Sequence, residues 1–310
     1  GVPVIPGGDE ILQDPEDALA KAEKMGYPVM LKASAGGGGR GMRLVKKSSE
    51  VIPAFKSANQ EAVTSFGNGD IYIEKFIQNP RHIEVQILAD SHGNAIHLGE
   101  RECSIQRRHQ KLIEESPSPL VDVATRKKIG SAAVAGAKSV NYVGVGTIEF
   151  LMDADKNFYF MEMNTRIQVE HPVTEMVTGI DLIKQQIKMH AGEKCPILND
   201  FKLRGHSIEC RINAEDPSNN FMPFPGKIEN FHMPGGKGVR VDSHAYAGYI
   251  IPTHYDSMIG KIIVHAKNRS RAVTRMQRAL EETIIDGPKT TIPYQMAIMR
   301  DAKFKSGDFD

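Results

Sequence analysis

The fold is decided by the stretch TIEFLMDADKNFYFMEMNTRIQVEHPVTE, which runs from Thr147 to Glu175. A β-rich run over 147–152 precedes the turn-forming sequence DADKN, and a second β-rich run starts at Phe158, so we expect a β-hairpin. From position 159 onward the odd positions are Tyr, Met, Met, Thr, Ile and Val. The even positions from 162 are all polar, namely Glu162, Asn164, Arg166, Gln168 and Glu170. Because successive side chains of an extended chain point to opposite faces, these polar groups are expected to share one face.

Glu149 lies on the first strand of this hairpin, where the predicted pairing puts it opposite Glu162 or one step away on the diagonal. Two carboxylates that face each other repel unless a cation lies between them. Oxygen ligands from Glu149, Glu162 and Asn164 suit Mg²⁺ or Mn²⁺, which usually bind one or two carboxylates together with substrate phosphates. The pattern is also typical of a polar strand face with a loose carboxylate pair, and the residues alone leave both interpretations open.

The chain has 310 residues with a formal net charge of +1; 40% of the residues are hydrophobic and 25% are charged. This length suffices for two or three domains, and the near-zero charge argues against nucleic acid or an anionic membrane as a general partner. Cys103, Cys195 and Cys210 lack metal-ligand spacing, so we expect reduced thiols in a cytosolic compartment. No apolar run reaches membrane-spanning length, and no signal peptide precedes the first turn. Because the chain starts at Gly1 within a turn-like sequence, a further upstream segment is expected.

Helix punctuation predicts several helical regions, and a further helix is expected to begin at Ser48 or Ser49. Asp14 and Pro15 begin a helix that ends before Gly26, since Asp favours the cap, Pro the first position and Gly the site beyond the end. The others are expected over 122–140, over 173–191 with a break at 179–181, and over 270–282. After residue 199 the chain changes to short β-rich segments separated by turns, which predicts a third, α+β module.

A glycine-rich loop, SAGGGGRGM, follows the strand that carries Lys32 and leads into another strand. Gly36, Gly38 and Gly41 satisfy GxGxxG, but a dinucleotide-binding fingerprint needs a strand, a turn and then a helix. A glycine tip between two strands can instead lay backbone N–H groups over phosphates, with Lys32 in reach of the α- and β-phosphates. The alternative interpretation is a mobile surface turn.

Two polar groups outside the hairpin are also candidates. The basic cluster QRRHQK at 106–111 is a weak nucleic-acid patch, because two glutamates follow at once, and a stronger anion site within a nucleotide enzyme. On a later strand, Arg240 and His244 alternate with Asp242. They are either ligand-binding groups or solvated residues of an edge strand.

Together these motifs resemble the ATP-grasp fold and, more closely, the biotin carboxylase family. The wording of NTRIQVEHPVTE and YDSMIGK is closer to the acyl-CoA carboxylase branch than to pyruvate carboxylase. The matching segments occur in family order over essentially the whole chain: KASAGGGGRGM at 32–42, EKF at 74–76, RHIEVQ at 81–86, RECSIQRRHQK at 101–111, GTIEF at 146–150, EMNTRIQVEHPVTE at 162–175, HSIECRINAEDP at 206–217 and YDSMIGK at 255–261.

The resemblance implies an α+β protein with an ATP-grasp fold, made of a glycine-rich lid subdomain (1–76) and a central β-rich nucleotide-binding domain with the metal and bicarbonate site (77–204). A C-terminal α+β biotin carboxylase domain (205–310) is expected to follow. The family also has an N-terminal domain that carries a further ATP lysine and part of the biotin pocket. Residues 1–310 alone are therefore expected to be inactive or weakly active. No biotin-accepting MKM segment is present, so biotin must come on another polypeptide or region.

The resemblance also implies roles for individual residues. ATP is assigned Lys32, Gly36, Gly37, Gly38, Gly39, Gly41, Glu74, Lys75, Ile77, His82, Gln106 and His109, of which Glu74, Lys75 and Ile77 would hold the adenine. Bicarbonate is assigned Lys111, Arg166, Gln168 and the backbone of Val169, with Glu170 as its base. Arg240 would stabilise the enolate of biotin. The metal site would be Glu149, Glu162 and Asn164.

The function that the resemblance implies is the biotin carboxylase component of acetyl-CoA carboxylase, in fatty acid biosynthesis. Biotin would be carboxylated with bicarbonate through carboxyphosphate, giving ADP and phosphate, with two Mg²⁺ or Mn²⁺ ions. A cytoplasmic homodimer is expected when full length, with a biotin carboxyl carrier protein and carboxyltransferase subunits as partners, and neither nucleic acid nor membrane. The alternatives are another biotin-dependent carboxylase (propionyl-CoA, methylcrotonyl-CoA or pyruvate), a different ATP-grasp carboxylate ligase, or a non-catalytic ATP-binding fragment.

Overall fold

The computed structural model describes residues 1–7, 10–35, 41–107, 109–196 and 202–309. The predicted lid glycines Gly36, Gly37, Gly38 and Gly39 lie outside these ranges. The chain divides into two compact units, Pro3–Asn79 and a larger one formed by Gly1–Val2 with Pro80–Asp310. None of the helices within the described ranges combines the length and the apolar character that crossing a membrane requires.

The smaller unit packs two helices on a three-stranded antiparallel sheet of order β2-β1-β3. Asp14 caps the first helix by accepting a hydrogen bond from the Asp17 backbone N–H at 2.7 Å, as the sequence predicts. Apolar residues of the helices, such as Phe55, pack against strand residues such as Leu31. The elements are α1 (Pro15–Met25), β1 (Val29–Ala33), β2 (Met42–Val45), a 3₁₀ turn (Ser48–Glu50), α2 (Val51–Phe66) and β3 (Ile71–Lys75).

The larger unit contains the predicted hairpin and the predicted broken helix. Its elements are β4 (Arg81–Ala89), β5 (Ala95–Arg107), β6 (Gln110–Ser116), α3 (Val123–Ser139), β7 (Gly144–Met152), β8 (Phe158–Asn164), α4 (His171–Thr178), α5 (Leu182–His190), β9 (His206–Asn213), β10 (Glu215–Asp216), a 3₁₀ turn (Pro217–Asn219), β11 (Met222–Pro223), β12 (Gly226–Lys227), β13 (Phe231–His232), β14 (Val239–Ser243), β15 (Ile250–Ile251), β16 (Met258–Ala266), α6 (Arg269–Glu282), β17 (Ile284–Ile285), α7 (Ile292–Arg300) and α8 (Ala302–Ser306).

Eight of these strands form one antiparallel sheet of order β14-β16-β9-β6-β5-β4-β7-β8. The sheet is continuous between the segments 77–204 and 205–310, because β6 pairs with β9 in a register that places Ile113 opposite Cys210. On β9 the even positions, such as Ile208 and Cys210, enter a hydrophobic core with α6. The odd positions include Glu209 and Arg211, so the opposite face of the sheet carries charge.

The strand predicted to continue to Glu170 ends at Asn164, so the prediction is wrong for residues 165–170. The chain turns there, with the His171 N–H donating to Gln168 O at 3.3 Å, and α4 begins at once. Pro172 explains the change, since proline suits the first turn of a helix and cannot donate to a strand ladder. A bulge in the pairing of β7 with β8 leaves Met161 without a partner and reverses the alternation, so Phe160 faces the core although its position is even.

Candidate active site

Three carboxylates face one another across neighbouring strands of the large sheet. Glu84 on β4 pairs with Glu149 on β7, and Glu149 pairs in turn with Glu162 on β8, which confirms the predicted pairing of the last two. Asn164 lies beside them, since its side-chain amide donates to Glu149 Oε1 at 3.0 Å and to Glu162 Oε1 at 3.5 Å. Glu149 is buried whereas Glu162, on the last strand of the sheet, is exposed. The group is therefore accessible to a solvated ion from one side.

The ammonium group of Lys111 offsets this concentration of negative charge. Its Nζ lies 2.5 Å from Glu84 Oε2, 2.8 Å from Glu149 Oε1 and 2.7 Å from Glu170 Oε1. Burial alone would lower the pKa of Lys111, but the carboxylates outweigh burial and raise it above its ordinary value. Burial raises the pKa of Glu84, whereas Arg101 and Lys111 lower it more strongly, to about 2. Both partners are thus charged at neutral pH.

Arg101 is fully buried and links the carboxylates to helix α4. It faces Glu84 across β5 and β4 and donates to its Oε1. It also donates to Thr174 Oγ1 on α4 at 2.9 Å and to Gln168 Oε1 at 3.1 Å. Gln168 in turn donates to Glu149 Oε1 at 2.8 Å. Arg101 therefore fixes the position of two predicted site residues without being one of the predicted set.

Glu170 lies at the start of α4 with only 1% of its surface exposed. One oxygen faces Lys111 at 2.7 Å, and the other accepts from Arg211 on β9 at 2.9 Å. Burial opposes the charge of Arg211, but Glu114 and Glu170 raise its pKa above the ordinary value. The carboxylate is therefore held between two cations that come from different strands.

Arg166 and Arg240 do not share the position of Arg211. Arg166 is exposed and donates to Asn164 Oδ1 at 3.1 Å and to Ile167 O at 3.2 Å, so it lies beside the metal candidates. Arg240 binds Asp242 with two hydrogen bonds of 2.8 and 2.9 Å and Glu175 at 2.6 Å. Among the described residues, neither arginine forms an ion pair or a hydrogen bond with Glu170. For Arg166 the reason is the turn after Asn164, which redirects the chain.

Two of the three predicted ATP residues of the larger unit lie together. His82 Nδ1 is 3.1 Å from Gln106 Nε2. His82 Nε2 lies 3.1 Å from Glu149 Oε2, yet it is buried and makes no well-aligned hydrogen bond with any described residue. His109 lies at the exposed turn between β5 and β6, with a φ of 66°. Burial raises the pKa of Glu149, but His82 and Lys111 lower it to about 2.

The described nucleotide candidates of the smaller unit lie on its strands or next to their ends. Lys32 on β1 forms an ion pair with Glu74 on β3. The Lys75 ammonium donates to Gly26 O at 2.8 Å and to Tyr27 O at 3.3 Å, so it is engaged by the end of α1. Gly41 has a φ of 70°, and a Cβ there would lie 2.7 Å from Ala33 Cβ, so this position requires glycine. Ile77, beyond β3, is partly buried.

The chain matches two families along its length. Residues 1–198 match the family described as carbamoyl-phosphate synthase L chain, ATP binding domain, and residues 209–310 match the biotin carboxylase C-terminal domain. Biotin carboxylase of Nostoc sp. is 57% identical over 309 residues, which cover 99% of this chain and 69% of that protein. This chain belongs to the biotin carboxylase family. It is an ATP-dependent ligase and serves a biotin-dependent carboxylase.

Two solved biotin carboxylases share the fold. The β,γ-ATP complex from Campylobacter jejuni superposes with a TM-score of 0.93 at 54% identity and covers 100% of this chain and 69% of that one. The second is the biotin carboxylase domain of Hydrogenobacter thermophilus 2-oxoglutarate carboxylase, solved as a dimer with MgADP, ADP and bicarbonate. It superposes with a TM-score of 0.91 at 52% identity, and the match covers 100% of this chain and 68% of that one. These likenesses confirm the predicted ATP-grasp fold with a biotin carboxylase C-terminal domain.

The sequence analysis of this biotin carboxylase missed four site residues: the buried Glu84, Arg101 and Glu209, and the partly buried Arg211. A signal for two of them is present in SIECRIN, where Glu209 and Arg211 alternate with apolar residues. A charged residue on a strand whose other face is apolar and which lies within a large sheet is buried, and it then needs a partner. The same alternation marks Glu84 in HIEVQI, whereas Arg101, in GERECS, has no such spacing. The pairing of Glu84 with Arg101 depends on the register of β4 with β5.

The donor set of the biotin carboxylase fits a hard divalent cation. Carboxylate oxygens of Glu149 and Glu162 and the side-chain amide of Asn164 are ligand types that Mg²⁺ and Mn²⁺ accept. One ligand atom each from His82, Glu84 and Glu149 also lies within 4.8 Å of the others. The low pKa of Glu149 keeps it ionised at neutral pH, and the solvent-facing side at Glu162 leaves room for water or phosphate ligands.

Proposed function

We propose that this biotin carboxylase belongs to an acetyl-CoA carboxylase and uses ATP and bicarbonate to carboxylate biotin on a carrier protein. The single observation that carries the reaction is the Glu170 carboxylate held between Lys111 at 2.7 Å and Arg211 at 2.9 Å. Two cations on one buried carboxylate form a site that attracts a second small anion and can move a proton to or from it.

In the proposed reaction Glu170 accepts the proton of bicarbonate, whose oxygen then attacks the γ-phosphorus of ATP to give carboxyphosphate and ADP. Lys111, Gln168 and Arg166 hold the bicarbonate, and the N–H of Val169 contributes from the turn. Carboxyphosphate separates into CO₂ and phosphate, and the phosphate removes the N–H proton of biotin. The biotin nitrogen then attacks CO₂. Positive side chains offset negative charge as it develops, which is the main contribution of a phosphoryl-transfer site.

We assign the stabilisation of the biotin enolate to Arg211 rather than to Arg240. Both Nε and one terminal nitrogen of Arg240 are bound by Asp242, and its other terminal nitrogen by Glu175. Arg211 already touches Glu170. An arginine in contact with the proposed base is close to the reacting atoms. An arginine whose guanidinium is hydrogen-bonded to carboxylates must release them before it can bind the biotin enolate.

The resemblance assigns ATP to Lys32, Glu74, Lys75, Ile77, the lid glycines, His82, Gln106 and His109, and we keep this assignment as a proposal. When bound by Glu149, Glu162 and Asn164, Mg²⁺ or Mn²⁺ would offset charge on the nucleotide phosphates. In support, the Hydrogenobacter relative was solved with MgADP and bicarbonate.

A biotin carrier protein and carboxyltransferase subunits are the proposed partners, and a homodimer is the proposed assembly. The three cysteines are buried and free, which agrees with the reducing conditions of a cytoplasm. Acetyl-CoA is the preferred acceptor, because the sequences of the motifs NTRIQVEHPVTE and YDSMIGK resemble those of the acyl-CoA carboxylase branch. Another acceptor is the second candidate, because one similar biotin carboxylase domain belongs to a 2-oxoglutarate carboxylase.

The test uses the native enzyme complex in which this chain occurs. ADP formation should require bicarbonate and the biotin carrier, and radiolabel from bicarbonate should pass to acetyl-CoA. Propionyl-CoA, methylcrotonyl-CoA, pyruvate and 2-oxoglutarate serve as competing acceptors. Label transfer to one of these would correct the acceptor alone. ADP formation that is unchanged without bicarbonate would refute the biotin carboxylase reaction.

Replacing Glu149 with glutamine should weaken Mg·ATP binding by at least about 10-fold, since even residues that only support metal ligands cost about 10–100-fold in affinity. The change keeps the shape and removes one ionised ligand, so the fold should persist. Calorimetry with Mg·ATP and Mn²⁺ titration by electron paramagnetic resonance measure the effect. Asp155→Asn, in the exposed turn of the same hairpin, is the control. Equal affinities in the two variants would exclude Glu149 as a ligand.

A further inference from the structure

Two buried glutamates near the proposed base have carboxylate oxygens that lack hydrogen-bond partners among the described residues. Glu114 on β6 and Glu209 on β9 are directly opposite each other, and both are 0% exposed. Glu114 Oε1 accepts from Arg211 Nε at 2.6 Å. Glu114 Oε2 and both oxygens of Glu209 make no hydrogen bond with any residue in the described ranges.

The surrounding charges do not balance this pair. Arg211, on the same strand as Glu209, divides its guanidinium between Glu114 and Glu170. Lys261 on β16 faces Arg211 across the ladder, but its ammonium donates to Val169 O and lies 3.8 Å from Asp242. The other titratable groups near the pair within the described ranges are Glu170 at the start of α4, Cys103 on β5, Cys210 on β9, and Lys111. Lys111 is bound by Glu84, Glu149 and Glu170.

A buried carboxylate that lacks both a counter-ion and hydrogen-bond donors is unstable in its charged form and takes up a proton instead. Two carboxylates that face each other favour one shared proton over two charges. This arrangement leaves a single negative charge on the pair, and Arg211 is already placed to neutralise it through Glu114.

We propose that Glu114 and Glu209 share one proton at neutral pH and that this singly charged pair positions Arg211 against Glu170. The catalytic meaning of the positioning rests on the proposed function, whereas the shared proton does not. When the proton is lost, two negative charges on β6 and β9 attract the guanidinium toward the sheet. Its contact with Glu170 is then weakened. Glu114 and Glu209 act through Arg211 and are positioning residues.

The direction of titration agrees with this geometry. Burial raises the pKa of Glu209 well above its ordinary value, and burial raises that of Glu114 from 4.5 to about 7 against the opposing effect of Arg211. A group whose pKa is raised in the folded state stabilises the fold fully below its unfolded pKa. That stabilisation is lost as the pH rises from about 4.5 through about 7 and above.

The first test compares Glu209→Gln with wild type in the full chain from about pH 5 to about pH 9. Glutamine resembles a protonated glutamate in shape and lacks charge, so the variant should fold and lose less stability on the alkaline side. Glu115→Gln is the matched control, because Glu115, next to Glu114 on β6, is as buried as Glu209 but accepts from His206 at 2.6 Å and from Arg269 at 2.7 and 3.0 Å. The control should be destabilised. Equal destabilisation of both variants at every pH would overturn the shared proton.

Infrared spectroscopy keeps the proposal testable even if a variant does not fold. Wild-type protein near neutral pH should show the carbonyl band of a buried protonated carboxyl group, and this band should disappear in Glu209→Gln. Absence of the band in wild type would overturn the proposal.

The positioning role is tested in the holoenzyme by the pH profile of bicarbonate-dependent ATP cleavage. Wild type should lose rate on the alkaline side, and Glu209→Gln should retain it to higher pH. A uniform change at every pH would overturn the positioning role. If the enzyme shows no bicarbonate-dependent cleavage at all, the proposed function fails, while the infrared and stability results still decide the shared proton.

Discussion

Replacing Glu170 with glutamine is expected to lower bicarbonate-dependent ATP cleavage by about 10²–10⁴-fold, the usual contribution of a general base. The carboxylate is buried, and its two oxygens face Lys111 and Arg211. Glutamine keeps the shape but cannot accept the proton of bicarbonate. The affinity for Mg·ATP should change little, because the proposed metal ligands are other residues. The measurement is steady-state ADP formation in the native enzyme, together with calorimetry of Mg·ATP.

A structural role for Glu170 as the partner of its two cations predicts a different result. Loss of a base removes the acidic limb of the pH–rate profile, whereas loss of an ion pair lowers the rate at every pH. Glu193→Gln, at an exposed residue paired with Lys188 at 2.9 Å, is the control and should behave like wild type. Wild-type turnover of Glu170→Gln would exclude both roles.

Replacing Arg101 with methionine should lower the free energy of unfolding by about 3–5 kcal/mol, the typical cost of removing one partner from a buried ion pair. Methionine fills much of the same volume, so the loss arises mainly from the Glu84 carboxylate, which is 0% exposed and would lose its guanidinium. The hydroxyl of Thr174 and the amide of Gln168 would also lose their donor. Urea unfolding followed by circular dichroism measures the change.

Arg300→Met is the control, since Arg300 is 59% exposed in its side chain and, within the described ranges, pairs only with the exposed Glu281. Exposed ion pairs contribute little to stability, so this variant should unfold at nearly the same urea concentration as wild type. If Arg101→Met were as stable as Arg300→Met, the buried network would not hold the site together.

Sequence patterns predicted the structural features that are formed by residues close together in the sequence. The cap at Asp14, the break before Asp181 and the pairing of Glu149 with Glu162 each depend on residues close in sequence, and each is confirmed. Alternation failed at two places: a bulge at Met161 reverses it within β8, and the strand ends at Asn164 shortly before α4 starts at His171. The alternation of polar and apolar residues continues through both interruptions, so the sequence pattern could not reveal them.

The arginine beside Glu170 could not be predicted from spacing. Arg211 and Arg240 both lie on C-terminal strands, and the choice between them depends on which strand lies next to β6. The sheet places β9 there and β14 at its edge, and such an order arises from long-range pairing. The glycine tip of the lid lies outside the described residues, so only its flanking strands can be compared with prediction.

The continuous sheet has a consequence for how this molecule can be divided. The two family matches end at residue 198 and begin at residue 209, and a cut between them would separate β6 from β9. Each fragment would expose a row of unpaired backbone N–H and C=O groups, the type of edge that recruits strands from other chains. Recombinant halves should therefore precipitate. Glu170 and Arg211 lie on opposite sides of the cut, so a chimera that joins halves of two relatives inherits only one member of that ion pair from each parent.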